Sequence, residues 1–391
     1  MKKALVIGYG ISGQGAEKLL KKLGYQVVVL DQVEKAPEDH FDVAVLSPGI
    51  CLNHPVPFEL QKRQVPVIGE VELAFRYLTG TCLGVTGTNG KTTLTLFLAH
   101  ALGGKALGNV GLSVAAYVAD QLESELLIIE LSSYQLETLV TKKLDWAIIT
   151  NITSDHMDRY SSFEAYARTK WRIAQCLKDK GVCFVPKALG KPEFPHIRVI
   201  DEDSCLQLTR ERGYSPKLDR ATLALAFAVC REMGVTPEAF LTALKRFEKP
   251  PHRLEVVGRL NGITFINDSK ATNPAATIYA VSCSTKYVVL IVGGRSKEDL
   301  FEAWKGGFGI KVKAVFTIGE CGEQLRDLLS PFHRVDYKAH LRDAVFAAYV
   351  GAKAGDTVLF SPGCSSFDQF DNYATRGREF NDSIQQLRRG V

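Results

Sequence analysis

Residues Thr86-Gly87-Thr88-Asn89-Gly90-Lys91-Thr92-Thr93 are the segment in which residue types and spacing come closest to specifying a reaction. Two glycines, a lysine and several hydroxyls fall between a short apolar run, Cys82 to Val85, and an apolar helical stretch, Leu94 to Leu102. A strand that turns at such a point aims successive backbone N–H groups at phosphate oxygens. The lysine then reaches the terminal phosphates, and the hydroxyl that follows it is placed for Mg²⁺. This is the chemistry of an ATP site, with Gly87, Thr88, Asn89, Gly90, Lys91, Thr92 and Thr93 as the expected contacts. The general phosphate-loop pattern puts a glycine where Val85 stands, so the match is imperfect at its first position.

Other residues suit work beside such a loop. Glu130 ends the apolar run Leu126 to Ile129, and in open α/β sheets ligands gather at the carboxyl ends of strands, where a carboxylate can hold Mg²⁺. His156 lies in the polar segment Asn151 to Asp158, which follows a second run, Trp146 to Thr150. Ser161 and Glu164 have the spacing of a capping box, so a helix is expected to begin near Ser162. On that helix Lys170 shares a stripe with Phe163, Tyr166, Ile173 and Leu177. A lysine there either reaches back to water or is desolvated with a lowered pKa. A desolvated amine can add CO₂ to become a carbamate, an anionic oxygen ligand for a second Mg²⁺.

A second glycine-rich turn, Gly8-Tyr9-Gly10-Ile11-Ser12-Gly13, follows the first strand, and Asp31 closes the next. The pattern specifies a diphosphate beside a sugar, with the acid on a ribose. NAD, another nucleotide such as a UDP-sugar, and a merely tight strand-to-helix turn all satisfy it.

These residues need α/β elements to position them. Strand-like runs at Ala4 to Ile7, Gln26 to Leu30 and Val43 to Leu46 alternate with helical stretches such as Gln14 to Leu23, the signature of parallel sheets. After Val67-Ile68-Gly69 a helical segment, Glu70 to Tyr77, leads into a new series. Glu248-Lys249-Pro250-Pro251 forbids helix continuation and marks a hinge. Strands alternate again from Ile263 to Ile266 onward, through Val288 to Val292, Ala314 to Ile318 and Thr357 to Phe360. Three α/β domains are expected, at 1–69, 70–249 and 250–391.

The chain has 391 residues, 46% of them hydrophobic and 23% charged, which excludes disordered and fibrous classes. Its 48 basic against 43 acidic residues leave a net charge of +5, with no basic stripe of the kind that tracks nucleic acid. No apolar run approaches the roughly 20 residues a membrane span needs. Glycines interrupt the opening apolar run too early for a secretory leader. Nine cysteines without a C-x-x-C pair fit reduced thiols in a cytoplasm.

Taken in order, the motifs resemble those of the Mur ligase family, ATP-dependent ligases that form amide bonds in peptidoglycan precursor synthesis. Gly87 to Thr92 resembles the family phosphate loop, Glu130-Leu131-Ser132-Ser133-Tyr134-Gln135-Leu136-Glu137 its metal segment, and Asn151 to Tyr160 with Lys170 its histidine and carbamylated-lysine region. His252-Arg253 and Asn267-Asp268-Ser269-Lys270-Ala271-Thr272-Asn273-Pro274 resemble the ATP-facing start of its C-terminal domain. Ser361 to Phe370 and Asp155 to Tyr160 resemble the branch that accepts D-glutamate. The resemblance implies a Rossmann-like N-terminal domain, a central ATPase domain of phosphate-loop type, a Rossmann-like C-terminal domain, and a monomer. It implies UDP-N-acetylmuramoyl-L-alanine, D-glutamate and ATP as substrates, with two Mg²⁺ ions. Gly10, Ile11, Ser12, Asp31, Ser47 and Asn109 would then meet the UDP part, and Arg253, Asp268 and Lys270 the ATP. Lys297, Ser366, Phe367 and Tyr373 would hold D-glutamate. Thr92, Glu130, His156 and carbamylated Lys170 would be metal ligands, with Lys91 catalytic beside the last three. The chain departs from the family pattern at Gln32-Val33, Asp219, Thr222 and Arg295.

Overall fold

Runs of aliphatic and β-branched residues buried on both faces build parallel sheets, because helices must cover each side. The computed structural model describes residues 2–32, 35–190, 194, 196–205, 218–296 and 300–390. They form three sheets. In the first, all parallel, the spatial order is Gln26–Leu30, Lys3–Ile7, Val43–Leu46, Val67–Gly69. The second is also parallel, in the order Ile197–Ile200, Leu177–Pro186, Leu144–Ile149, Thr81–Thr86, Leu126–Glu130, Lys105–Gly108. The third runs Glu255–Leu260, Ile263–Asn267, Thr357–Phe360, Val288–Gly293, Val312–Ile318, Arg334–Lys338, with only the first strand antiparallel. In each sheet the chain switches direction across a central strand, and such switch points leave a crevice at the strand ends. The glycine-rich turn, the phosphate loop and the segment from Gly294 leave from those central strands.

The chain divides into two compact units: Met1–Ile152 with Glu164–Glu248, and Thr153–Phe163 with Lys249–Val391. In the first unit two sheets share one core, in which Val43, Val45 and Ile68 join Leu107, Leu127 and Ala147. The helix Ile11–Lys22 packs closely on the start of the helix Val114–Ala119 because position 15 is glycine, where a Cβ would collide with the Ser113 hydroxyl. The second unit has cores on both faces of its sheet, around Phe265, Phe360 and Phe380, and around Val288, Trp304 and Leu325. Among the described residues no helix is long and apolar enough to cross a membrane.

Two acids on the helix Glu70–Phe75 clasp the first unit's two sheets together. Glu72 accepts from the Val140 and Thr141 N–H groups, the Thr141 hydroxyl and Arg76. Burial alone would raise its pKa, but those donors hold it below the ordinary value. Glu70 is less well served. Its Oε1 accepts from the Ala115 N–H at 2.6 Å, while Oε2 is buried with no hydrogen-bond partner among the described residues. Burial therefore pushes its pKa from 4.5 up to about 7, against the pull of the Ala115 and Val114 amides. An acid raised in the folded state is harmless below its unfolded pKa and destabilises progressively as pH climbs to the folded value. That window corresponds to on the order of 3 kcal/mol. Glu70→Gln is accordingly expected to melt higher than wild type at pH 8 and to match it near pH 4.5, read by thermal unfolding across pH.

Candidate active site

The phosphate loop is shaped by its glycines and braced from the neighbouring strand. The strand Thr81–Thr86 carries Val85 in register with Glu130, so the backbone cannot turn at 85 and the loop opens one residue after the strand, at Gly87. Gly87 has φ +142° and Gly90 φ +84°, the left-handed half of the map. A Cβ on Gly87 would collide with the Thr150 hydroxyl. Asn151 holds the loop twice, its carbonyl accepting from the Thr88 N–H at 2.9 Å and its Oδ1 from the Asn89 N–H at 3.0 Å. The Thr150 hydroxyl and the Asn151 amide both donate to the Asn89 carbonyl. Lys91 opens the helix Lys91–Leu102 and folds its ammonium over the loop, 2.8 Å from the carbonyls of Gly87 and Thr88. Thr92 and Thr93 follow in that helix's first turn.

Glu130 stands at the end of the strand beside the loop and is 1% exposed. Its Oε1 accepts from the Asn109 side-chain amide at 2.9 Å, and the Asn109 N–H donates to the Glu130 carbonyl. Its Oε2 has no hydrogen-bond partner among the described residues. A buried carboxylate oxygen left without a donor costs about 1–3 kcal/mol, and a hard divalent cation is the ligand that would satisfy it. The residues present therefore fit Mg²⁺. Asn109, expected at the UDP substrate, lies on Glu130.

Lys170 is buried and does not reach back to water. Its helix, Phe163–Gln175, begins one residue beyond the expected Ser162, and Lys170 is 2% exposed. The ammonium sits 4.8 Å over the Tyr166 ring. The Tyr166 hydroxyl in turn lies 3.0 Å from that of Thr88. Lys170 is thus tied to the phosphate loop through one aromatic side chain.

His156 belongs to the second unit and adopts φ +60°, with its N–H on the Asp155 carboxylate and its Nε2 3.6 Å from the same group. Asp155 also accepts from the Asn273 amide, and Asn273 caps the helix Pro274–Ser282. Asp268 is buried, accepting from the Ser361 hydroxyl at 2.8 Å and the Leu254 N–H at 3.1 Å. Desolvation raises its pKa to about 7, against those two donors and the charges of Arg253 and Lys249. Lys270 lies 3.9 Å over the Tyr373 ring, which joins an expected ATP contact to an expected D-glutamate contact. Ser366 is buried and Phe367 is 64% exposed. Lys297 lies outside the described residues, as does Val33.

Arg376, which no sequence motif marked, shares the buried face of the helix Tyr373–Arg389 with Phe380, Ile384 and Leu387 and organises this unit. It is 1% exposed and donates to the Ser269 hydroxyl and carbonyl and to the carbonyls of Cys364 and Ser365. Burial pulls its pKa to about 10, so it stays charged. One guanidinium therefore fixes the Lys270 and Ser366 segments together.

At the first sheet, Gly8 has φ +82°, Asp31 accepts from the Tyr9 N–H, and Ser47 donates to the Gly8 carbonyl. Gly10 precedes the helix whose first residues are Ile11 and Ser12. A Cβ on Gly13 would collide with the Gly8 carbonyl. Of the departures, Asp219 caps the helix Arg220–Glu232 through Thr222, and Arg295 pairs with Glu320.

The fold is a mixed α/β one built on parallel sheets. Residues 85–188 match the Mur ligase middle domain, and residues 252–364 the Mur ligase glutamate ligase domain. The chain is 39% identical to the UDP-N-acetylmuramoylalanine–D-glutamate ligase of Protochlamydia amoebophila, over 99% of this chain and 98% of that one. It is 33% identical to the protein of the same name from Chlamydia felis, over 98% of each. The crystal structure of the UDP-N-acetylmuramate-alanine ligase of Thermotoga maritima superposes with a TM-score of 0.60 at 15% identity, covering 99% of this chain and all of that one. The chain belongs to the Mur ligase family.

Gly87→Ala forces a side chain into a strained backbone and onto Thr150, at about 1–3 kcal/mol. ATP affinity, measured by calorimetry, is expected to fall roughly ten- to hundredfold, with the melting temperature lowered by a few degrees. An unaltered affinity would show that the loop does not bind the nucleotide.

Proposed function

We propose that the protein is an ATP-dependent ligase that joins D-glutamate to UDP-N-acetylmuramoyl-L-alanine through an acyl phosphate. The observation that carries this reading is the phosphate loop set between a buried carboxylate with an unsatisfied oxygen and a buried lysine. Similarity along the whole chain to proteins named for that reaction supports it. The first sheet, residues 1–69, takes the UDP-linked acid at Gly10, Ile11, Ser12, Asp31 and Ser47. Residues 70–249 take ATP, and residues 250–391 the amino acid.

The alanyl carboxylate attacks the γ-phosphorus of ATP and ADP leaves. The amine of D-glutamate then adds to the acyl carbon, loses a proton, and phosphate departs. Bringing a carboxylate to a triphosphate sets like charges against each other at about 4 kcal/mol per close pair. The backbone N–H groups of the loop and the Lys91 ammonium offset that repulsion. The same donors stabilise the oxyanion formed when the amine adds. Thr92 and Glu130 would hold Mg²⁺, which would supply further positive charge at the phosphates. Lys170, if it loses its proton, would add to CO₂ with release of a second proton to solvent, and the resulting carbamate would offer an oxygen ligand to a second ion. His156 offers an imidazole nitrogen. Arg253, Asp268 and Lys270 serve the nucleotide, while Lys297, Ser366, Phe367 and Tyr373 hold the dicarboxylate.

ADP release should depend on D-glutamate and not on L-glutamate, D-alanyl-D-alanine or diaminopimelate. A different amino acid supporting turnover would reassign the substrate. Lys170→Ala is expected to lose nearly all activity and to regain part of it with an added short carboxylate. A wild-type rate for that variant would exclude the carbamate.

A further inference from the structure

Two of the nine cysteines face each other. Cys321 and Cys364, 2% and 1% exposed, bring their sulfurs to 3.6 Å within the second unit. The thiols of Cys82 and Cys176 instead face the backbone carbonyls of Gly80, Leu139 and Arg172. The pair also stands where a bond would matter. The Cys321 N–H donates to the Gly294 carbonyl, and the Arg295 backbone pairs with Ser365. Cys364 lies two residues before Ser366, and the Cys364 and Ser365 carbonyls are held by Arg376. Closing the gap to the roughly 2.05 Å of a disulfide would bring the sulfurs about 1.5 Å closer, a movement shared between side-chain rotation and the Gly363–Ser366 segment.

We propose that Cys321 and Cys364 form a reversible disulfide that lowers the affinity of the Ser366 segment for the incoming amino acid; the affinity part rests on the D-glutamate reading above. The oxidant is hydrogen peroxide, small enough to reach the pair during local opening. The Cys321 thiolate attacks one peroxide oxygen, the O–O bond breaks, and a sulfenic acid and water result. The Cys364 thiol then attacks that sulfur and passes its proton to the departing hydroxyl, so that the S–S bond forms, the S–O bond breaks and a second water leaves. Two thiols lose two electrons and one hydrogen peroxide becomes two waters. The environment assigns these roles. The Cys364 thiol donates to Cys321 and holds its pKa below the ordinary thiol range, while burial raises that of Cys364. A dithiol such as dithiothreitol reverses the bond by exchange.

The test treats the whole protein with hydrogen peroxide and follows peptide mass and kinetics together. The expected result is a cross-linked peptide pair containing Cys321 and Cys364, two hydrogens lighter than the reduced pair. The KM for D-glutamate should rise about tenfold, as a displacement near 1 Å at a binding segment allows, with the KM for ATP unchanged and full recovery in dithiothreitol. Cys321→Ser should keep its basal activity and lose the peroxide response. Oxidation confined to the exposed Cys283 and half-buried Cys51, or an unchanged response in Cys321→Ser, would overturn the proposal. If D-glutamate supports no turnover even in the reduced protein, the functional reading fails instead, and the peptide masses still decide whether the bond forms.

Discussion

Two charged side chains kept out of water near one short loop constrain the rest of the first unit. Glu130 is buried with one oxygen satisfied by Asn109 and the other without a donor among the described residues. Lys170 is buried over Tyr166, whose hydroxyl meets Thr88. A fold selected for stability alone would replace such groups with apolar ones of similar size, at little or no loss. For Glu130, whose second oxygen has no donor among the described residues, a divalent cation is the ligand that the proposed reaction would bring.

The sheet order supplies the positions. Thr81–Thr86 runs between Leu126–Glu130 and Leu144–Ile149, so the loop that leaves it has Glu130 on one neighbouring strand and Thr150 and Asn151 just past the other. Parallel strands bring these ends to one edge, and the glycines let the backbone turn there without strain. The second unit solves a similar problem differently. Its Ser269 and Cys364–Ser365 segments converge on Arg376, a single planar donor set in place of a glycine cradle.

Much of this was legible in the chain because the determining features are local. Glycine, lysine and hydroxyl spacing marked the phosphate loop, and an acid closing an apolar run marked Glu130. The spacing of Lys170 placed it on a buried stripe without deciding whether the ammonium reached water; that depends on Tyr166 and on packing from the rest of the unit. Edge strands were less readable. Ile197–Ile200 is only four residues long and carries Arg198, Arg334–Lys338 alternates charge, and Glu255–Leu260 runs antiparallel, so none shows a long apolar run. Edges carry charge to discourage further pairing. The bracing of the loop by Asn151 and the place of Arg376 escaped notice because their partners lie far away in sequence. Position 85 departs from the general loop pattern for a structural reason, since Val85 is still in the strand.

If the carboxylate of the UDP-linked acid attacks ATP, one of its oxygens must end in inorganic phosphate. Turnover with ¹⁸O-labelled alanyl carboxylate, followed by mass analysis of the phosphate released, decides the matter. The account predicts phosphate carrying one ¹⁸O for every amide formed; phosphate without label, formed at the same rate as the amide, would contradict it.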